Sequence, residues 1–347
     1  MFRRLGRFVF GKSMASHQLG NEKLNVFWGM PILSSDSISS VAYAVEEILL
    51  VLVPVIGLAS FMWMPRIALA IIALLIILVL SYRHVVDAYP NGGGAYVVAK
   101  DNLGPIYSLA AGASLSVDYT LTVAVSIAAA SAAITSAFPS LYAHRVAISL
   151  LLIFLLAVGN LRGIRESSRI FSLPTYAFIL SIVVLVAAGI IKYLTGGMPV
   201  LPPAEAIPAT PGIQAVTMFL IIRAFASGCS ALTGVEAISN AVPNFKAPAA
   251  KQAKTVYALL ALAIIVCFGG VAVLANLYQI VPDPRQTVIT QLTLSIFGPG
   301  LMLYIMAATT GLILALAANT AYSGFPTLLS VIAQDGYVPR QLSMRGH

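Results

Sequence analysis

Three acidic residues lie within stretches that otherwise consist of apolar, small and hydroxyl-bearing residues. Asp36 lies in SSDSISSVAYAVEEILL, Asp118 in SVDYTLTVAVS and Glu236 in SGCSALTGVEAISN. Where such a stretch crosses a membrane, a charge near the bilayer centre costs on the order of 3 kcal/mol, so it is kept mostly where it faces water or a partner. Carboxylates at that depth are suited to binding a cation or to carrying a proton.

Hydroxyl groups follow Asp118 at helical spacing. Asp118, Thr122 and Ser126 stand at i, i+4 and i+8, so a helix would align a carboxylate and two hydroxyls along one face. Tyr119 borders that face. A single hydroxyl in a membrane helix is often satisfied by the carbonyl one turn earlier, and for Ser126 this account is as good as an ion-binding role.

The other two acids also have polar neighbours at helical spacing. Asp36 and Tyr43 are seven residues apart, and Thr233, Glu236 and Asn240 recur after three and four residues. A continuous helix would place each set on one face. For Asn240, a local hydrogen bond to the backbone is an equally good account.

The composition indicates that membrane helices position these residues. The chain is 59% hydrophobic and 9% charged, against about 45–50% and about 25% in soluble domains. We therefore predict an all-α polytopic membrane protein. Apolar runs long enough to cross a bilayer predict eight spans, at 24–57, 62–86, 104–137, 145–160, 170–193, 213–240, 252–279 and 290–322.

The basic residues favour one side of these spans. With the N-terminus inside, the outer ends hold only four basic residues, Arg66, Arg145, Lys192 and Arg285. The positive-inside rule thus predicts a cytoplasmic N-terminus, with 1–23 as a basic cytoplasmic segment. The net charge of +8 is explained by this asymmetry and requires no nucleic-acid partner.

Spans 1 and 6 differ from the others because small and polar residues interrupt their middles. Five spans separate the two interruptions, so the second half would enter the membrane from the opposite side. This is the pattern of inverted repeats whose broken helices line a substrate site at the bilayer midplane. Small-residue helix packing is the alternative, and it explains Ser227, Gly228, Ser230 and Gly234 but not the acids.

The repeat interpretation divides the chain into regions. Residues 24–193 form the first repeat, 194–212 an extracellular loop, and 213–347 an incomplete second repeat. A complete second repeat needs further C-terminal helices, which predicts that the chain is part of a longer transporter. The cytoplasmic loop 89–105 contains a glycine run followed by AYVVA, and it reads either as a re-entrant segment or as an ordinary connection.

Asp36 bears on the substrate class. A broken helix that binds an amino acid offers an uncapped helix N-terminus to the substrate carboxylate. Here we expect Asp36 to occupy that place, to cap the half-helix and to repel a second carboxylate. Carboxylates, hydroxyls and carbonyls together suit a hard monovalent cation such as K⁺. Glu46 and Glu47 lie nearer the outer end, where snorkelling to the interface accounts for them.

Other chemistries find little support in the sequence. Cys229 and Cys267 both lie in predicted spans, and the four histidines have no metal-ligand spacing. No phosphate-binding loop pattern occurs, and no nucleophile, base and orienting residue stand together. We therefore expect neither an enzyme nor a cofactor.

Long blocks of the sequence resemble a known family. They are LSSDSISSVAYAVEEIL, SYRHVVDAYPNGGGAYVVAKDNLG, LSVDYTLTVAVS, SGCSALTGVEAISNAVPNFK and LAANTAYSGFP. They resemble the KimA-type potassium importers of the amino acid–polyamine–organocation (APC) superfamily. The resemblance implies a LeuT-like fold with inverted repeats and broken helices 1 and 6. It also implies proton-coupled K⁺ uptake by alternating access (K⁺/H⁺ symport), a homodimer, and a multi-pass location in the bacterial cell membrane.

The resemblance also implies roles for individual residues. The residues it places around the ion are Asp36, Tyr43, Asp118, Tyr119, Thr122, Ser126 and Thr233. Glu236 is expected to carry the proton, with Asp118 as the alternative because clustered acids titrate together. An amino-acid or polyamine permease remains the alternative function, and a channel is less favoured because the sequence has no repeated filter.

Overall fold

The computed structural model describes residues 23–92, 94–161, 168–196 and 216–343. Within these ranges the regular elements are helices, accompanied by two isolated β-bridges. The predicted N-terminal segment 1–23 lies outside the described residues except for its last residue. Most of the predicted extracellular loop 194–212 also lies outside them.

The described residues form thirteen α-helices, numbered here in chain order. They are α1 Val26–Leu33, α2 Ser35–Ser39, α3 Val41–Ile56, α4 Ser60–Ala88, α5 Ala95–Leu103, α6 Pro105–Ala137, α7 Arg145–Leu161, α8 Ser168–Leu194, α9 Met218–Gly228, α10 Ala237–Asn240, α11 Ala249–Leu277, α12 Val288–Phe297 and α13 Leu301–Gln334. Short 3₁₀ segments lie between several of them.

Seven helical stretches of the described residues are long and apolar enough to cross a membrane, where the sequence predicts eight spans. The difference comes from Val41–Ala88, which forms one stretch of 48 residues. A straight helix of that length would measure about 72 Å, against a hydrocarbon core of about 30 Å. The stretch instead bends at the 3₁₀ turn Gly57–Ala59, where Gly57 has a φ of 55°. Predicted spans 1 and 2 therefore meet at this turn.

The first predicted span is interrupted at two serines. The helix α1 ends at Leu33, the short α2 covers Ser35–Ser39, and α3 begins after Ser40. Serine side chains compete with the backbone for hydrogen bonds, which favours such interruptions. The hydroxyls of Ser39 and Ser40 both donate to the Asp36 carbonyl, at 2.7 and 3.2 Å. The short helix α2 is thereby set apart from the helices on either side.

The sixth predicted span is interrupted more deeply. After α9 the chain forms a 3₁₀ turn at Cys229–Leu232, then Thr233 is extended and Gly234 has a φ of 74°. Helical geometry resumes only at α10. The prediction that Thr233, Glu236 and Asn240 share one helical face is therefore wrong, because the positive φ of Gly234 ends the helical repeat between them.

The packing places both interruptions at the centre of the protein. The helices α3, α4 and α11 form a common core that includes Ile48, Ile71 and Phe268, each at most 1% exposed. Gly228 allows Ile48 and Ile71 to approach the end of α9. On the other side α6 packs along α13, and the short α2 lies against α13. The short helix α2 therefore lies where the two groups of helices meet.

The two faces of the protein differ in charge. We call the face that carries Arg83, Lys100, Lys246, Lys254 and Arg340 the basic face, and the other the opposite face. On the basic face, the segments flanking the two interrupted spans pair through a parallel β-bridge between Leu24 and Phe245. Backbone bonds of 2.8 Å (Leu24 N to Asn244 O) and 2.9 Å (Lys246 N to Leu24 O) hold it together.

Candidate functional site

Asp36 and Gly234 join the two helix interruptions. Asp36 is 3% exposed, and its side chain packs directly over Gly234. A Cβ atom added to Gly234 would lie 2.8 Å from both Cβ and Cγ of Asp36. Only glycine allows this approach, since Gly234 also needs the left-handed φ of 74°.

Serine hydroxyls connect the same two segments. The hydroxyl of Ser37 donates to the Thr233 carbonyl at 2.7 Å. The hydroxyl of Ser40 lies 3.2 Å from that of Thr233 and 2.9 Å from that of Tyr43. Tyr43 and Thr233, both predicted as site residues, are therefore brought together through Ser40. Ser40 is not among the predicted site residues, although the serine run around Asp36 was a signal for it.

The three predicted acids are electrostatic neighbours. Glu236 and Asp118 both act on Asp36, and Tyr119 is close enough to interact with all three carboxylates. Asp36 and Glu236 are both buried, whereas Asp118 is only partly so. The described residues contain no group of three or more His, Cys, Asp or Glu side chains placed to share one metal ion. The acids are thus neighbours without converging on one atom.

Buried carboxylate oxygens in this region have no partner among the described residues. They are Oδ1 of Asp36 and Oε1 of Glu236. The ion pairs of the described residues are Lys100 with Asp335 and Lys254 with Asp87, both on the basic face. An unpaired buried carboxylate is unfavourable, so these oxygens call for a bound cation or a proton.

The predicted capping role of Asp36 is wrong. No side-chain hydrogen bond caps α2 or α3 at its N-terminus. The reason is position, because α2 already begins at Ser35 and Asp36 lies inside it rather than ahead of it. The carboxylate is consequently available to a ligand instead of being used by the backbone.

A cavity of about 480 Å³, here called the central cavity, reaches these acids. Asp36, Glu236 and Tyr119 lie at its inner end. Its walls towards the basic face come from the start of α5 and the last turns of α13, including Tyr96 and Val331. The site is therefore connected to the basic face.

Thr122 and Ser126 lie further along α6, which is continuous from Pro105 to Ala137 as their spacing requires. Both are buried, at 5% and 0% exposed. The Ser126 hydroxyl has no partner among the described residues, so the carbonyl bond one turn earlier, one of the two accounts left open for it, is not made. Neither residue lines the central cavity.

Helix α13 contributes residues that the sequence analysis did not assign. The hydroxyls of Ser35 and Thr320 lie 3.3 Å apart, and Gly324 packs against the Tyr119 ring. On its other side Asn160 donates to the Asn319 side chain at 2.8 Å. Asn319, Thr320 and Gly324 belong to LAANTAYSGFP. Polar and small residues in an apolar helix were the available signal there.

Glu46 and Glu47 do not snorkel to the membrane interface as expected. Glu46 accepts a hydrogen bond from the Val288 amide at 3.2 Å, at the start of α12. Glu47 accepts one from the Ser227 hydroxyl at 3.4 Å. Both carboxylates turn towards the protein because neutral donors face them there.

Two comparisons with known proteins bear on this site. Residues 27–346 match a family described as amino acid permease. The chain is also 44% identical over 346 residues to the potassium transporter KimA of Bacillus subtilis (strain 168). That similarity covers 100% of this chain and 56% of the relative, so the chain spans little more than half of the relative's length.

Proposed function

The chain belongs to the amino acid permease family, whose members are membrane transporters and not enzymes, and from this we propose that it is the core of a secondary transporter that imports K⁺. The observation that carries the proposal is the pair of buried oxygens, Asp36 Oδ1 and Glu236 Oε1, that have no partner among the described residues. A desolvated cation in the same region would satisfy them, and the hydroxyls of Tyr43 and Thr233 are nearby to complete its shell.

A cation explains the site better than an amino acid does. The interruption in the first span places the Asp36 carboxylate against the second interruption at Gly234, in the same cavity as Glu236. A substrate carboxylate would be repelled by Asp36 and Glu236. The name of the KimA relative, a potassium transporter, supports the same choice of substrate.

We propose that the remaining predicted residues also contribute to the ion path. Asp118, Tyr119, Thr122 and Ser126 form a polar stripe on α6 beside the interruptions. Tyr119 reaches the central cavity, and the unpartnered Ser126 hydroxyl provides an oxygen further along. An ion would then pass along α6 during alternating access.

Proton coupling is assigned to Glu236. It lies at the start of the short helix after the second interruption and faces the central cavity, where it can exchange a proton with water. Protonation would neutralise it when the cation is absent. With the basic face in the cytoplasm, the membrane potential adds about 2.3 kcal/mol per 100 mV for each charge moved inwards.

The wider setting follows from the resemblance and from the interrupted spans. We propose a LeuT-like arrangement in which spans 1 and 6 occupy equivalent places in two inverted repeats. The full-length protein would be a homodimer in the bacterial cell membrane, with its N-terminus in the cytoplasm.

A polyamine permease is the second candidate function. A central cavity of about 480 Å³ is far larger than one dehydrated K⁺ requires. Two buried carboxylates could also hold two ammonium groups of an organic cation. This alternative predicts competition by putrescine or spermidine, which K⁺ transport does not.

Growth and Rb⁺ uptake in a bacterium that lacks its own potassium uptake systems would test the proposal. The full-length gene and its Asp36→Asn variant would be compared, with labelled amino acids and polyamines as rival substrates. Rescue at low K⁺ that Asp36→Asn abolishes, without uptake of the rivals, supports K⁺ transport. Amino-acid or polyamine uptake without rescue refutes it.

A further inference from the structure

A second cavity lies on the other side of Tyr43 from Asp36. It has a volume of about 270 Å³, and we call it the distal chamber. Its polar lining consists of Tyr43, Glu46, Glu47, Thr287 and Thr310, and alanines of α6 supply much of the rest. Such small side chains leave room for an ion with part of its water shell.

The two glutamates are not paired with a basic side chain of the described residues. Glu46 uses Oε2 to accept from the Val288 amide, and Glu47 uses Oε2 to accept from the Ser227 hydroxyl. Both partners are neutral. In the described part of the chain no Lys, Arg or His lies within ion-pair distance of either carboxylate. Two adjacent acids without a counter-charge attract cations.

An independent observation on the facing helix points to a ligand. Thr310 of α13 is 5% exposed and lines the distal chamber. Its hydroxyl oxygen is buried and has no hydrogen-bond partner among the described residues. Other threonines of this helix do bond to the preceding turn, as Thr309 does to the Ile305 carbonyl at 2.9 Å. The Thr310 hydroxyl is thus available to bind a ligand in the distal chamber.

The chamber is connected to the proposed site by one side chain. Tyr43 lines the chamber, and its hydroxyl lies 2.9 Å from that of Ser40. Ser40 in turn lies 3.2 Å from the Thr233 hydroxyl. An ion in the chamber is therefore separated from the helix interruptions by the Tyr43 side chain.

A further cavity continues towards the opposite face. It has a volume of about 260 Å³ and shares Glu46 and Thr287 with the distal chamber. Arg145 and Arg285 also line it, each with its guanidinium within 6 Å of the Tyr142 ring centre. Asp283 lines the cavity beside Arg285, so acidic and basic groups stand together there, while Glu46 lies on the chamber side.

We propose that the distal chamber is a second cation site, in which Glu47, Glu46 and Thr310 receive a partly hydrated monovalent cation from the opposite face before it passes Tyr43 to Asp36. The inference rests on the proposed function for the direction of movement. The binding itself requires only the geometry of the chamber.

Rb⁺ uptake by the full-length protein over a range of Rb⁺ concentrations would test this site. Glu47→Gln and Thr310→Val each remove one group and keep the shape of the side chain. Losing one such interaction should raise the half-saturating Rb⁺ concentration about three- to tenfold. The matched control is Thr293→Val, since Thr293 is fully buried in α12 and its hydroxyl bonds to the Ile289 carbonyl. It should leave that concentration unchanged.

Carbodiimide labelling of Glu47 in the purified full-length protein gives a readout that does not depend on transport. K⁺, but not choline, should slow the labelling. An unchanged half-saturating concentration in both variants, or labelling that K⁺ does not slow, overturns the inference. If wild-type protein takes up no Rb⁺, the proposed function is refuted instead. The labelling experiment then shows by itself whether the distal chamber binds a cation.

Discussion

Gly234 and Asp36 pack so closely that each restricts which side chain is possible at the other position. A Cβ on Gly234 would meet the Asp36 side chain at 2.5–2.8 Å and would have to adopt a φ of 74°. The backbone conformation alone costs about 1–2 kcal/mol for a residue with a side chain. The contact adds a displacement of the carboxylate that we propose binds the ion.

Gly234→Ala is therefore predicted to reduce Rb⁺ uptake at least tenfold and to destabilise the protein by about 1–3 kcal/mol. Gly298→Ala is the matched control, because Gly298 has a φ of 75° with nothing within 4 Å of the added atom. Gly298→Ala should lose stability through the backbone conformation alone and should keep wild-type uptake of Rb⁺. Equal uptake by the two variants, measured at equal expression, would argue against a role for the Asp36 position.

Glu236 gives a second prediction at the level of single residues. If this carboxylate carries the proton, Glu236→Gln, which keeps an oxygen at this position, should bind Rb⁺ more weakly but lose the dependence of uptake on external pH. Asp118→Asn is the comparison, since Asp118 is the other candidate and is only partly buried. Uptake in proteoliposomes with and without an imposed proton gradient distinguishes them. If only Asp118→Asn loses the coupling, the carboxylate that carries the proton is Asp118 on α6 and not Glu236.

At the level of elements, hydrogen bonds to Asp335 connect α5 to the end of α13. Lys100 and Tyr96 donate to the two oxygens of Asp335, at 2.6 and 2.8 Å. These groups lie outside the membrane-spanning helices. The hydrogen bond from Lys100, and then that from Tyr96, lowers the pKa of Asp335 below its usual range. The same bond raises the pKa of Lys100, while burial and then the bond to Asp335 raise that of Tyr96 to about 12.

The signs of these shifts define the pH range of the contact. Because the pKa of Asp335 is lowered in the folded state, its contribution is complete above about pH 4 and is lost as the pH falls further. The raised pKa of Lys100 makes its contribution complete below about pH 10. Amide hydrogen exchange in α5, corrected for intrinsic rates, should therefore be constant between these limits.

Asp335→Asn should speed exchange in α5 at neutral pH because it removes the charge that both donors face. Asp87→Asn is the control, since it breaks the other ion pair of the basic face, with Lys254 at 2.8 Å, which involves no residue of α5. Unchanged exchange in Asp335→Asn would show that packing of Tyr96, rather than the ionic contact, holds α5 in place.

Periodicity predicted the site geometry only where a helix is continuous. Asp118, Thr122 and Ser126 lie on the uninterrupted α6, so their spacing translates directly into a stripe. Across an interruption the same rule fails. The extended Thr233 and the positive φ of Gly234 rotate Glu236 off the face that helical spacing assigned to it.

For the whole molecule, composition was sufficient for the class of protein but not for its contacts. Apolar content predicted a bundle of membrane helices. The predicted number of spans, eight, differs by one from the seven stretches of the described residues because spans 1 and 2 meet in a single stretch. Contacts between distant parts, such as Asp36 with Gly234 and Ser35 with Thr320, depend on how helices pack. No local pattern encodes them.

Binding of Rb⁺ to the purified full-length protein tests the central claim most directly, because it separates occupancy of the site from transport. Wild-type protein should bind Rb⁺ in competition with K⁺, and Asp36→Asn should lose the Rb⁺ bound at the helix interruptions, so that fewer ions bind per protein, while keeping its thermal stability within about 1 kcal/mol of wild type. Equal Rb⁺ binding by the two proteins, or displacement by an amino acid or a polyamine, would contradict a cation site at the helix interruptions.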